Sequence, residues 1–259
     1  MALREFVDDF AVGERDVSLA VVNSEQPPTI DRMFEDVFGE QPVAVSEATR
    51  ALSESDVVQL RRDGTVVAES ALDDVRDAVL AVNSDIYITG TRSLADVETP
   101  EVVRGLEGTR FRVRGYPSGS KSKLLLIEIS RHIESRALRA GSGTLHAGFQ
   151  RLSRVRDERG TRTAYEELTA TDLDVHVYGL GDPALLDPLS VTVHDDAADE
   201  IRNGWFVAFA PDPGTDVDGA ALVAVTDDDR EWDGVWRLDT DAAERVSEHL
   251  TDAYGEERS

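Results

Sequence analysis

The chain of 259 residues contains no cysteine. Disulfide bridges, thiolate zinc sites, iron–sulfur clusters and cysteine nucleophiles are thereby excluded together. It also has no long hydrophobic run. Stretches such as Leu124 to Ile127 and Ala220 to Val225 fall far short of the roughly 20 residues that a membrane-crossing helix requires, and the opening MALREFVDDF lacks the apolar segment of a signal peptide. The expectation is a cytoplasmic protein that makes no use of a membrane. Aromatic residues are sparse at 6% and charged residues reach 31%, a balance that elsewhere accompanies disorder. Here, however, apolar residues recur with clear periods along nearly the whole length, as in folded chains. A chain of this size buries roughly 70–75% of its unfolded surface, so it needs neither a disulfide nor a metal to fold.

Lysine is almost missing as well: the 27 basic residues are 25 Arg and 2 Lys, against 30 Asp and 22 Glu, for a net charge of −25. Self-repulsion at that charge destabilises a compact chain in dilute buffer. At molar salt the Debye length falls to about 3 Å and the repulsion is screened. The composition resembles that of haloarchaeal proteins. The charge is unevenly spread, for residues 104–162 hold 14 basic and 5 acidic side chains, while the other 200 residues hold 13 and 47. Two readings of this basic island follow. Its arginines either pair with acidic neighbours across the fold, or serve an anionic ligand or acidic partner through close bidentate contacts, which salt screens least.

Periodicity and turn signals give an alternating succession of elements. Ser18 to Val22 and Pro42 to Ser46 read as strands around a helix over Pro28 to Phe38, and Asp63-Gly64 within VVQLRRDGTVVAES marks a hairpin turn. Helices are expected over Leu72 to Asn83, Pro100 to Gly105 and Thr240 to Tyr254, the last capped by Asp239 or Thr240. The longest helix runs from Lys121 to Arg139, with Leu125, Ile129, Ile133 and Leu138 inward and Glu128, Arg131 and Arg136 as its polar surface. Gly148 to Arg154 and Thr161 to Thr169 also read as helical. Strands are expected at Tyr87 to Thr89, Arg110 to Arg114, Leu173 to Tyr178, Val191 to His194, Trp205 to Ala210, Ala220 to Thr226 and Gly234 to Leu238, with Pro183 to Pro188 as loop. The class is therefore α/β, an α+β mixed sheet with helices on its faces and antiparallel strands in the C-terminal part. The organisation expected is an N-terminal α/β region over 1–115 and a second region over 116–259, or both as one continuous domain.

Several motif lookalikes fail on a specific residue. Gly115 to Ser122 (GYPSGSKS) nearly fits a phosphate loop, but Ser120 stands where the second glycine must let backbone amides wrap the phosphates. Ser130 to Arg136 (SRHIESR) has the look of a phosphoacceptor box around His132, yet no Gly- and Asn-rich ATP-binding domain accompanies it. The five histidines show no metal-ligand spacing, and His176 and His194 read as hydrogen-bonded structural residues in strands. No nucleophile elbow is present.

What remains is a cluster of cations and a cluster of rings. Arg112, Arg114, Lys121, Lys123 and Arg131 are the candidates for contact with an anion. Trp205, Trp232 and Trp236 fall within 32 residues and, with Phe149, are the candidates for lining a ligand pocket, since such sites combine apolar rings with a few convergent polar groups.

Five stretches then resemble a known family in their order and spacing: LLIEISRHIE (125–134), TLHAGFQRLSR (144–154), Tyr165 to Leu168 with VHVYG (175–179), Trp205 to Phe209, and AALVAVTDDDREWDGVWRLD (220–239). Residues 120–252 resemble the DICT sensory domain of diguanylate cyclases and two-component systems. The earlier AVLAVNSDIYITGTR and RFRVRGYP are similar to the N-terminal part of its haloarchaeal versions. The resemblance implies a stand-alone signal-input module rather than an enzyme, one that binds a small-molecule ligand or a signalling protein such as a histidine kinase or transcription regulator. It names no cofactor and leaves homodimer formation open. The alternative, a transcription-associated nucleic-acid-binding regulator using the island 104–162, is disfavoured because the rest of the surface repels phosphate.

Overall fold

The computed structural model describes residues 2–12, 16–22, 38, 41, 43–48, 56–84, 93–114, 122–227 and 231–255. The helix expected over Pro28 to Phe38, apart from Phe38 itself, and the strand expected at Tyr87 to Thr89 lie outside them. Asp63 (φ 50°) and Gly64 (φ 76°) make the tight turn that joins strands β3 (Val57–Arg62) and β4 (Thr65–Ala71). Two successive positive φ values match the right-handed twist of a hairpin. With β1 (Val17–Val22) and β2 (Ala44–Ala48) these strands form a small sheet in the order β2-β1-β3-β4, in which only β1 and β2 run parallel. The chain leaves β4 directly into helix α2 (Leu72–Ser84), and after a short helix α3 (Glu101–Arg104) it enters β5 (Phe111–Arg114).

Strand β5 already belongs to the second, larger sheet. The remaining elements are α4 (Ser122–Ala140), β6 (Ser142–Arg151), α5 (Ser153–Asp157), α6 (Arg159–Leu168), β7 (Asp172–Leu180), β8 (Thr192–His194), α7 (Asp199–Arg202), β9 (Gly204–Ala210), β10 (Ala220–Thr226), β11 (Glu231–Arg237) and α8 (Thr240–Tyr254). The sheet order is β5-β11-β10-β9-β6-β7-β8, parallel at β6-β7 and β7-β8 and antiparallel elsewhere. Every residue of β10 is buried, which explains its unbroken apolar sequence, because both faces of this strand are covered. Asp239 caps α8 by accepting a hydrogen bond from the Ala242 backbone N–H at 2.9 Å, and Gly141 (φ 72°) follows the last turn of α4.

The two faces of the large sheet pack against different helices. On one face Leu145, Ala147, Val207, Phe209 and Leu222 join a cluster with Leu125, Leu126, Ile129 and Ile133 of α4. On the other, Phe206, Ala208, Val223 and Val235 meet α8 and the N-terminal helix α1 (Leu3–Phe10). The first of these clusters runs without a break from Val17 and Leu60 of the small sheet to Trp236. Edge strand β5 is also sealed by the N-terminal region: the Gln41 side-chain amide accepts from the Arg112 N–H at 2.8 Å and donates to the Arg112 carbonyl.

Three features depart from the sequence reading. Helix α1, left without assignment, buries Leu3, Phe6, Val7 and Phe10, a spacing of i, i+3, i+4 and i+7 that forms one apolar stripe. Arg245 of α8 lies 5.7 and 5.5 Å from the Phe6 and Phe10 ring centres and pairs with Asp9. Secondly, Gly148 to Arg151 is not helical but completes β6, and helix begins only at Ser153. The reason is strand partnership on both sides: Gly148 is paired with Tyr178 of β7 and Phe206 of β9. Thirdly, of the residues expected on the polar surface of α4, Glu128 and Arg131 are buried, as is the neighbouring Glu134, and Arg136 is half-buried, because α4 is wedged between the large sheet, α2 and α6.

Candidate functional site

A cavity of about 250 Å³ opens between α4, the end of β6, the α5–α6 corner and β9. Its apolar wall is built by strand alternation: Trp205 and Val207, two apart on β9, face it together, and Phe149 and Ile127 close the sides. Trp205 stands edge-on to Trp232 of β11 (centroids 6.4 Å, 82°), and Phe149 edge-on to Tyr165 (5.4 Å, 73°). These geometries are favoured by the ring quadrupoles and hold the lining rings in place.

The end of β6 is irregular at this point. Gly148 pairs with Tyr178 and Arg151 with Leu180, so Phe149 and Gln150 together oppose the single residue Gly179. This β-bulge re-aims the strand's last side chains, and Gln150 takes a left-handed backbone (φ 56°) that a non-glycine residue rarely adopts. The Gln150 side chain is 7% exposed. Its Nε2 donates to the Gly204 carbonyl, while its Oε1, also buried, has no hydrogen-bond partner among the described residues.

Polar groups from the helices complete the lining. Arg131 reaches Glu134 Oε2 at 2.6 Å and donates to Thr161 Oγ1 at 2.9 Å; Thr161 in turn donates to Glu158 at 3.0 Å. Tyr165 donates to the other oxygen of Glu134 at 3.2 Å, and burial followed by the Glu134 charge holds its hydroxyl well above the ordinary tyrosine value. Lys123 is half-buried. Burial, and then the nearby charge of Arg154, push its ammonium below the usual lysine value, with Glu158 acting in the opposite sense. Neither Lys123 nor Arg154 makes an ion pair among the described residues.

Of the residues singled out in the sequence, Lys123, Arg131, Phe149 and Trp205 meet at this cavity. Trp232 supports Trp205 from behind at 7% exposure, and Trp236 is fully buried, stacked on Phe111 at 4.7 Å. Arg112 projects to solvent from β5 near Asp233. The backbone of Arg114 pairs with Glu231, whereas its side chain and Lys121 lie outside the described residues. Gln150, Glu134, Glu158 and Arg154 escaped the sequence reading. The two glutamates carried a signal, as two of only five acids in the basic island. Several of the island's other cations are paired within the fold: Arg104 with Glu101, Arg110 with Asp8, Arg156 with Asp157 and Arg162 with Glu166.

The histidines lie apart from the cavity. His132 is buried in α4 and driven down to about 3 by burial and the charges of Arg136, Arg104 and Arg139. On the opposite face of the sheet, His146 bonds Tyr178 and Ser247 at 2.9 Å each, and burial with the neighbouring His176 and His194 drives it to about 3. His176 Nδ1 lies 2.9 Å from His194 Nε2, so these two strand histidines are indeed hydrogen-bonded structural residues. Among the described residues no cluster fit to hold a metal ion occurs, and no helix is long and apolar enough to cross a membrane.

Residues 106–224 match the family model of the DICT domain, the sensory domain in diguanylate cyclases and two-component systems. The match covers just under half of the chain, and every residue lining the cavity falls within it. Among solved structures the chain is similar to a polyphosphate kinase from Porphyromonas gingivalis, with 11% identity and a TM-score of 0.31 over 96% of this chain and 44% of that one. It thus spans less than half the length of that protein. No curated protein matches the sequence.

Proposed function

We propose that this protein is a signal-input module whose cavity binds a small ligand and whose change of conformation is passed by contact to a signalling protein, a histidine kinase or transcription regulator. The observation that carries this reading is the meeting of Lys123, Arg131, Phe149 and Trp205 around one chamber inside the sensory-domain match. The module works by binding alone, in the salt-rich cytoplasm of a halophilic archaeon, to which its net charge of −25 suits it. A ligand shifts such a module only through differential affinity for its conformations, about 1.4 kcal/mol for each tenfold change in their ratio.

Native mass spectrometry of the protein purified in molar KCl, with denaturing extraction of whatever travels with it, tests the reading. A stoichiometric small molecule is expected. It should be absent from Ser130→Phe, which projects a ring into the cavity from α4. A protein that stays bare after incubation with a small-molecule extract of salt-grown cells would overturn the proposal.

A further inference from the structure

We infer that the cavity takes a one-ring organic anion whose acidic group meets Lys123 and Arg154. The inference rests on the ligand-binding reading above and specifies the chemistry of the same site. It follows from the charge that the lining leaves unmatched and from the apolar residues beside it.

The charges of the lining do not cancel. Arg131 is matched internally by Glu134, which leaves Lys123 and Arg154 facing the single carboxylate of Glu158. A half-buried ammonium without an ion pair among the described residues is unfavourable on its own and is offset by an incoming anion. The residue type strengthens the point. The chain uses arginine 25 times and lysine twice, yet a lysine lines this chamber. Its compact charge suits a carboxylate or phosphate held at a single point in a confined space.

Beside these charges Phe149, Trp205, Ile127 and Val207 form an apolar wall. The cavity volume of about 250 Å³ lies below the range of roughly 300–1,000 Å³ that houses drug-sized ligands, which suits one ring with its substituents and not a dinucleotide.

Two matched probes test this: 4-hydroxybenzoate and its uncharged methyl ester. Each is titrated in 1 M KCl with ligand-observed saturation-transfer NMR and tryptophan emission. The acid should bind at least tenfold more tightly than the ester. Lys123→Met should erase this preference and Lys123→Arg should keep it. Unchanged emission of the ligand-free variants shows that they fold. Equal binding of acid and ester, a preference that survives Lys123→Met, or no binding of any probe would overturn the inference. The extraction experiment separates this failure from failure of the wider reading. A co-purified ligand lost in Ser130→Phe that is not a one-ring anion leaves the module a sensor and removes only the ligand class proposed here.

Discussion

Single residues show most directly how burial has been used. His132 and His146 are enclosed and held at about 3, far below the ordinary histidine value near 6.5. The folded chain therefore binds protons at these rings less readily than the unfolded chain does. Their stabilisation is full above about pH 6.5 and is lost as pH falls toward 3, at about 1.4 kcal/mol per pH unit for each ring. Urea midpoints measured between pH 7 and 5 in molar KCl should fall steadily, and His146→Gln should flatten the decline by about half. A flat profile in the wild type would mean that the rings ionise in place. Four cavity residues were legible in the sequence because their types, two cations and two rings, announce a role. Gln150 was not, since its importance depends on a bulge and on the position of Gly204, neither of which a linear pattern contains.

Secondary-structure elements were legible where an apolar run, an alternation or a turn signal marks them, and obscure where small and polar residues fill a covered strand. The hairpin at Asp63-Gly64 and the capped helix α8 followed from local chemistry. Strand β6 did not: its segment TLHAGFQR has small and polar residues at positions that pack against a neighbouring strand. Gly148 shows why. A Cβ there would lie 2.4 Å from the Phe206 ring, so the sheet closes only because this position has no side chain. Gly148→Ala should cost about 1–3 kcal/mol, read as a lower urea midpoint, and Phe206→Leu in the same chain should restore part of the loss. If the single variant is as stable as the wild type, the ring has room to retreat and the close approach is not a constraint. Helix α4 was placed correctly from its apolar stripe, but the burial of most of its surface was hidden, because Glu128 and Arg131 look like a solvated face until their surroundings are seen.

For the whole molecule, charge sets the conditions under which the fold persists. Exposed pairs such as Arg4–Asp227 and Arg110–Asp8 contribute at most about 1 kcal/mol each and weaken with salt. Repulsion among the surplus carboxylates is also screened by salt, and at a net charge of −25 it is the larger effect. Thermal midpoints should therefore rise from 0.1 to 2 M KCl, and a fall would show that the ion pairs dominate. The charge pattern was visible in composition alone. The joining of two sheets through a single core was less so, because it depends on β5 crossing to the larger sheet and on Gln41 sealing that edge.

Strand β9 has one further consequence. Neighbouring residues on it look in opposite directions: Trp205 into the chamber, Phe206 into the layer formed by α1 and α8. The strand is thus a party wall, and its two tenants cannot be disturbed separately. Whatever presses on the indole moves the peptide that also carries the phenyl ring, and that ring is wedged against Tyr178 (centroids 5.3 Å) and the missing side chain of Gly148. On the function proposed above, one peptide bond is all that separates an occupied chamber from the far side of the sheet.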